Sequence, residues 1–292
     1  MSEDIYEKMK TLPSTWWQNA SSATALVEWF KFHVIGLLMA GTLANEWQYD
    51  VFSGFLLQQS TVLLWVTAGH VIDRVSEILS SADFKITLFT WLDWYDKPGA
   101  EGVRVHNRDL LMKSWKSEGL DLGVVAIQGL DAGNIRANEA VRPLDERVWR
   151  TLRSTTIEGH YLIGFPSAWT EVTSRTERNA TVRRRIKADI ACLPVGVLPP
   201  DESDQGHGRK LFPAKVLPYL DMPEFEVDDI GGMSGGPLLS VGRTDKGQVA
   251  YRLVGLEATW RRSDSRIQVV PIASIVPALE TWVQQNFPEE AQ

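Results

Sequence analysis

Cysteine, positive charge and long apolar stretches are all scarce in this chain, and each shortage excludes something. Cys192 is the only cysteine among 292 residues. No disulfide can therefore form within the chain, which fits a reducing compartment. The net charge of −7 and the pI near 5.4 argue against nonspecific nucleic-acid binding, because that needs a basic surface. The apolar run from Val34 to Leu43 is too short to span a bilayer.

Signals for export, metals and cofactors are also missing. The first residues, Met1–Lys8, are acidic and lack the basic-then-apolar pattern of a secretion signal. No group of His, Cys and Asp has the spacing of metal ligands, and no glycine-rich phosphate loop is present. We therefore expect a cytoplasmic protein without metal or cofactor, and without nucleic-acid or membrane partners.

The texture of the chain changes near residue 32. Before it, Trp16, Trp17, Trp29 and their neighbours have helix-compatible spacing, broken at Pro13. After it come short β-rich runs separated by polar or glycine-containing turns, which is the pattern of an all-β barrel or sandwich. The runs are Val34–Leu43, Tyr49–Leu57, Val62–Thr67, Lys85–Leu92, Gly102–Val105, Leu122–Ile127, Tyr161–Phe165, Glu171–Thr173, Ile186–Leu193, Glu224–Val227, Pro237–Val241, Tyr251–Trp260 and Gln268–Pro271. A helical period then covers Ile272–Phe287, and Pro199–Pro218 is predicted to be a long loop.

One serine stands among four glycines, in the segment Gly231–Pro237. Glycines on both sides let the backbone turn sharply and bring its N–H groups close to a ligand. An acyl-transfer site needs such a turn, because it combines an exposed hydroxyl with main-chain donors for a developing oxyanion. Ser234 is the candidate nucleophile; the alternative is a glycine-rich β-turn with a capping serine.

Two further motifs supply the partners that a serine nucleophile needs. His70 ends the run Val66-Thr67-Ala68-Gly69-His70, and its neutral imidazole could accept the serine proton. Asp121 opens the apolar run that continues to Ile127. Asp109 is the alternative acid, and an aspartate there or at 121 could also simply begin a strand.

The chain order His70, Asp121, Ser234, in these three contexts, resembles that of trypsin-like serine peptidases, in particular the bacterial branch without disulfides. The resemblance implies two six-stranded β-barrels of the chymotrypsin type. The first, residues 32–130, would carry His70 and Asp121, and the second, residues 157–292, would carry Ser234 and a C-terminal helix. Residues 1–31 would be a helical extension, and residues 131–156 would connect the barrels.

The resemblance also implies an activity. Ser234 would attack peptide bonds through an acyl-enzyme, His70 would act as general base, and Asp121 would orient it. The N–H groups of Gly232 and Ser234 would form the oxyanion hole. Protein or peptide substrates are expected, together with a regulatory protein partner if the enzyme is an intracellular effector. The alternative is a catalytically silent module that binds peptides or partner proteins.

The same comparison places four residues at the substrate pocket. Asp228 precedes the serine at the offset where trypsins carry the pocket-floor acid, and Glu257 lies on the strand that lines the pocket. Two acids there would favour cleavage after Lys or Arg, unless both are solvated rim residues. Thr259 and Trp260 replace the usual small residues of that strand. Met233 replaces the aspartate that captures a new N-terminus in trypsins, so that route of activation is closed.

Overall fold

A computed structural model describes residues 20–92, 103–106, 109–138, 141–145, 148, 155–176, 182–198, 211–217, 230–244 and 249–289. The first described element is a helix, Ala20–Phe30 (α1). Of the helical extension predicted for residues 1–31, the structure describes residues 20–31, which include this helix. The predicted run Glu224–Val227 and most of the predicted loop Pro199–Pro218 lie outside the described residues.

The described part of the first half is made of short strands and two helices. In chain order they are Gly36–Leu43 (β1), Glu46–Phe52 (β2), Phe55–Gln59 (β3), Val62–Thr67 (β4), Gly69–Ser80 (α2), Lys85–Leu92 (β5), Val103–Arg104 (β6), Leu111–Ser114 (β7), Gly123–Ile127 (β8) and Gly129–Ala137 (α3). The strands form two antiparallel four-stranded sheets, in the orders β2-β1-β5-β6 and β3-β4-β8-β7. An isolated bridge between Val34 and Phe55 joins the two sheets. Trp65 and Trp91 pack edge to face in the core between them.

The second half contains a closed barrel. Its elements, with a separate hairpin among them, are Thr155–Gly164 (β9), Thr170–Thr176 (β10), Val182–Ala188 (β11), Ala191–Val197 (β12), Phe212–Val216 (β13), Pro237–Thr244 (β14), Val249–Arg261 (β15), Arg266–Pro271 (β16) and Ile272–Asn286 (α4). Six antiparallel strands close in the order β12-β13-β16-β15-β14-β9, while β10 and β11 pair only with each other. The all-β fold with two barrel-like halves and a C-terminal helix is confirmed.

Three local predictions were wrong or incomplete. His70 does not end a strand but lies at the start of α2, whose buried residues Val71, Ile72, Val75 and Ile78 follow a helical period. The run Tyr49–Leu57 is two strands broken at Ser53 and Gly54. Strand β13 lies inside the segment predicted to be a loop, because barrel closure gives its backbone two partners that no local pattern reveals.

Helix α1 is fixed to the second half of the chain by aromatic contacts. The rings of Phe30 and Tyr251 meet edge to face with centroids 5.1 Å apart. The buried ring of His33 lies beside them and has a hydrogen-bond partner at each nitrogen. Its Nδ1 contacts the Arg142 carbonyl, and its Nε2 lies 2.9 Å from the Tyr251 hydroxyl. Burial lowers the pKa of His33 to about 4, so this ring is a neutral core residue. None of the described helices is long and apolar enough to cross a membrane.

Candidate active site

His70 and Asp121 are held together by the pairing of β4 with β8. Thr67 and Gly123 are register partners, so the end of one strand faces the start of the other. The His70 N–H donates to Asp121 Oδ1 at 2.9 Å, and His70 Nδ1 lies 3.0 Å from Asp121 Oδ2. The carboxylate therefore engages the histidine at both its backbone and its ring. With Nδ1 on the aspartate, Nε2 is left to face a nucleophile.

The electrostatics of this pair favour a charged imidazole beside an ionised carboxylate. The hydrogen bond that the His70 ring donates to Asp121 raises the pKa of His70, against the opposing effect of burial. Burial alone would raise the pKa of Asp121, which is 5% exposed, but the hydrogen bonds and charge of His70 hold it below its usual range. The pair can thus accept a proton at His70 and stabilise the resulting charge. Asp121, and not Asp109, is the acid that pairs with His70.

Ser234 lies on a tight turn between Ile230 and β14. Met233 is fully buried and donates its N–H to the Ile230 carbonyl at 3.0 Å, and the Gly236 N–H donates to the Met233 carbonyl at 2.7 Å. These bonds leave Ser234, half-buried, at the tip of the turn. Gly235 follows it with φ of +89°, a conformation that residues with a Cβ rarely adopt.

The serine turn is pressed against the first half of the chain. A Cβ on Gly235 would collide with the Thr67 hydroxyl at the end of β4 and with the carbonyl of Ser53. Thr67 lies three residues before His70 in the sequence. The absence of a side chain at 235 therefore lets the nucleophile turn approach the strand that leads to the candidate general base.

The backbone around Gly232 is oriented by two hydrogen bonds to its neighbours. The Gly231 carbonyl accepts the Ser167 N–H at 2.6 Å, and the Gly232 carbonyl accepts the Ser53 hydroxyl at 2.6 Å. Fixing the Gly231 carbonyl fixes the direction of the Gly232 N–H, which lies in the same peptide plane, and fixing the Gly232 carbonyl does the same for the Met233 N–H. The Ser234 N–H shares its plane with the Met233 carbonyl, which accepts the Gly236 N–H. No described residue accepts a hydrogen bond from the N–H of Gly232 or Ser234, so both donors are available for an oxyanion.

Ser53 is a functional candidate that sequence reasoning missed. It lies between β2 and β3, is fully buried, and accepts the Phe165 N–H at 2.8 Å while donating to Gly232. Its own carbonyl accepts the Thr67 hydroxyl at 2.7 Å. Ser53 thus links the strand before the general base, through its carbonyl, to the turn of the nucleophile, through its hydroxyl. The only available signal was a Ser-Gly pair interrupting an apolar run.

Of the three predicted pocket residues that the structure describes, Glu257 is the one that approaches the nucleophile. Its side chain is 1% exposed, and the Ser234 hydroxyl and the charge of His70 both lower the pKa of its carboxyl, against the effect of burial. Thr259 is exposed and its hydroxyl bonds Gln268, and Trp260 is half-buried against the hydrophobic core. Asp228 lies outside the described residues.

The remaining described histidines have other surroundings. His106 repeats the histidine–aspartate arrangement, because its N–H and its Nδ1 both contact Asp131 of α3, with Nδ1 at 2.7 Å from Oδ1. That pair fastens the segment after β6 to the helix. His160 lies on β9, and burial lowers its pKa. Among the described residues no group of three His, Cys, Asp or Glu side chains could hold a metal ion.

Comparisons with known proteins find similarity in structure but not in sequence. No protein-family model matches the chain, and no curated protein matches it. The active form of Rv3671c protease from M. tuberculosis aligns with 89% of this chain and 86% of its own, at a TM-score of 0.46 and 12% identity. Deg5 aligns with 87% of this chain and 90% of its own, at 0.44 and 15%. Anisep from Arthrobacter nicotinovorans aligns with 82% and 89%, at 0.39 and 14%.

The sheets themselves, two of four strands followed by a closed barrel of six, match the double-barrel architecture that the three motifs predicted. Similarity at this level assigns neither activity nor substrate to this chain.

Proposed function

We propose that this protein is a serine endopeptidase with Ser234 as nucleophile, His70 as general base and Asp121 as the residue that orients it. The observation that carries the proposal is the two-point hydrogen bonding of His70 by a buried Asp121, at 2.9 and 3.0 Å. His106 has the same two-point pairing with Asp131 in a structural role. What distinguishes His70 is the serine turn beside it, toward which the pairing presents one defined tautomer. The tight turn that carries Ser234 lies against the strand leading to that base.

In the proposed reaction the Ser234 oxygen attacks the scissile carbonyl while its proton moves to His70 Nε2. The carbonyl oxygen becomes an anion that accepts hydrogen bonds from the N–H groups of Gly232 and Ser234. The imidazolium then gives its proton to the leaving amine, the C–N bond breaks, and an acyl-serine remains. Water, deprotonated by His70, hydrolyses that ester and returns the serine hydroxyl.

The proposed substrates are protein or peptide chains cleaved after Lys or Arg. The support is the buried carboxyl of Glu257 next to the nucleophile, with Asp228 as the second acid predicted from sequence. A cation in a buried site needs an anionic partner. Control by a regulatory partner in the cytoplasm remains part of the proposal. Met233 supports it only indirectly, since the residue before the nucleophile cannot pair with a newly cut N-terminus.

Hydrolysis of a mixed peptide library by the purified protein tests the proposal. Ser234→Ala and His70→Ala should each abolish turnover, since residues that act as a unit lose activity together and not additively. Asp73→Asn is a matched control, because Asp73 lies on α2 near His70 but pairs with Lys116 at the surface. Turnover that survives in the Ser234 variant would overturn the proposal. Inactivity of the folded wild type would favour the alternative, a silent module that binds peptides.

A further inference from the structure

Glu257 is a buried acid, and none of the described residues forms an ion pair with it. Neither of its carboxyl oxygens has a hydrogen-bond partner among the described residues. Its neighbours along β15, Leu256 and Ala258, are fully buried and apolar. An unpaired acid in such a place destabilises the fold, because burial removes the water that would solvate its charge. Packing therefore gives no reason for a glutamate here, and a partner that arrives with the substrate does.

The position of Glu257 relative to the nucleophile is fixed by the main chain. Its carbonyl accepts the Gly235 N–H at 2.8 Å, and its own N–H donates to the Gly236 carbonyl at 3.0 Å. The pairing of β15 with β16 shifts register between Glu257 and Thr259. Bulges of this kind re-aim side chains beside functional sites. The backbone of Glu257 is therefore attached to the turn that carries Ser234, and its side chain starts from a fixed point beside that turn.

The Glu257 carboxyl and the groups of the active site shift each other's pKa values. Burial raises the pKa of Glu257 to about 7, and the neighbouring Ser234 hydroxyl and the charge of His70 oppose that rise. The Ser234 hydroxyl lies near enough to act in this way, although it does not form a hydrogen bond of normal geometry. In return, the charge of Glu257 raises the pKa of His70. Asp121 already balances His70, so the described surroundings leave Glu257 without its own cation.

An ionised Glu257 should restrain the nucleophile in the empty site for two reasons. Its oxygens compete with His70 Nε2 for the Ser234 proton, because both are hydrogen-bond acceptors. Its charge also stabilises protonated His70, which cannot serve as a base. A cation bound to the carboxyl would remove both effects at once.

We propose that Glu257 is a specificity-determining residue that binds the ammonium or guanidinium group of the substrate and thereby releases the Ser234 hydroxyl to His70. The inference rests on the proposed function of Ser234 and goes beyond it. Recognition of the substrate and activation of the nucleophile then occur together, because both depend on the Glu257 carboxyl. Neutral substrates are slow because they leave Glu257 unpaired beside the serine.

Acylation by p-nitrophenyl acetate tests the coupling, since this small neutral ester leaves room for a separate cation. The Ser234 oxygen forms the new ester bond to the acetyl carbon, the bond between the acetyl carbon and the phenolic oxygen breaks, p-nitrophenolate leaves, and the serine proton passes to His70. The burst rate is measured with and without ethylguanidinium, at constant ionic strength. Ethylurea serves as the neutral control of similar shape.

We expect ethylguanidinium, but not ethylurea, to accelerate acylation of the wild type about fivefold or more. Glu257→Gln should acylate faster than the wild type without any cation and should not respond to ethylguanidinium. The acid limb of its pH profile should move to lower pH, because the charge that raises the pKa of His70 is gone. Asp73→Asn, which removes an acid near His70 but not near Ser234, should respond to the cation as the wild type does.

The outcomes separate the inference from the proposed function. Acylation of Ser234 in the wild type without a response to the cation would overturn the role of Glu257 and leave the peptidase proposal standing. An equal response in Glu257→Gln would overturn it as well. A lack of any acylation that depends on Ser234 would overturn the proposed function and this inference with it.

A second measurement needs no variant at position 257. Calorimetric titration of the wild type with ethylguanidinium, in two buffers of different ionisation enthalpy, counts the protons released on binding. At pH 7 we expect about half a proton, because a group with a pKa of about 7 is half protonated before the cation arrives. Binding without proton release, or no binding, would overturn the inference.

Discussion

Replacing Ser53 by alanine should separate stability from activity in the oxyanion loop. The Ser53 hydroxyl donates to the Gly232 carbonyl at 2.6 Å and accepts the Phe165 N–H at 2.8 Å. Its removal leaves two buried backbone groups without partners. Each such group costs about 1–3 kcal/mol, so the free energy of unfolding should fall by about 2–6 kcal/mol. The peptide between Gly232 and Met233, next to the oxyanion donors, also loses the contact that fixes its direction.

The effect on catalysis is indirect, because the Gly232 N–H belongs to the preceding peptide, whose Gly231 carbonyl still accepts the Ser167 N–H. Removing one donor from an oxyanion hole outright typically lowers the rate by about 10²–10³-fold. Donors that are present, but on a turn that has lost one of its contacts, should retain part of their effect. We therefore expect kcat/KM for a peptide substrate to fall by about 10- to 100-fold, mostly in kcat. Urea unfolding and steady-state kinetics on the same preparations measure the two quantities.

Thr67→Val is the matched control for Ser53→Ala. It removes a buried hydroxyl of the same cluster, the one that donates to the Ser53 carbonyl at 2.7 Å, and leaves the bond to Gly232 in place. We expect a loss of about 1–2 kcal/mol in unfolding free energy and near-normal kcat. If both variants lose stability and both keep kcat, Ser53 only holds the two halves together. If Ser53→Thr restores kcat, the hydroxyl itself is the determinant.

Three further predictions follow from the same geometry. Asp121→Asn should lower the pKa of His70 in an NMR titration, because the hydrogen bond that His70 donates to Asp121 is the main cause of its rise. The same change should slow hydrolysis about 10³–10⁴-fold. An unchanged histidine titration would contradict this. Gly235→Ala should give little folded protein by circular dichroism, since the new methyl would collide with Thr67 at a φ of +89°; a stable, active variant would refute the close approach. Burial lowers the pKa of His33 from 6.5 to about 4, so folding favours the neutral ring. The wild type should therefore lose about 3 kcal/mol of unfolding free energy as pH falls from 6.5 toward 4. His33→Gln should lose that part of the dependence of unfolding free energy on pH, and an unchanged dependence would contradict the assignment.

The candidate triad could be predicted from sequence because each member lies in a short pattern whose chemistry is local. Each is identified by the few residues around it, since the serine stands among glycines and the histidine and aspartate lie at the ends of apolar runs. The structure then pairs His70 with Asp121 through the register of β4 and β8. The second half's strands and the C-terminal helix likewise follow short β-rich runs and a helical period in the sequence.

Long-range contacts account for what the sequence did not reveal. Ser53 bonds Gly232 across a separation of 179 residues, and a lone Ser-Gly pair does not indicate which turn it will meet. Glu257 was predicted to line the substrate pocket, but not to lie beside the nucleophile, since its direction depends on a register shift in β15. Strand β13 was hidden because its neighbours in the barrel are β12 and β16, and the latter is distant along the chain.

Labelling with a fluorophosphonate probe, followed by intact-mass and peptide mapping, tests the central claim most directly. A nucleophilic serine activated by His70 and Asp121 predicts a single adduct on Ser234, absent from Ser234→Ala and strongly reduced in His70→Ala, while Asp73→Asn labels at the wild-type rate. Folded wild-type protein that takes up no probe, or that takes it up at another residue, would contradict the account.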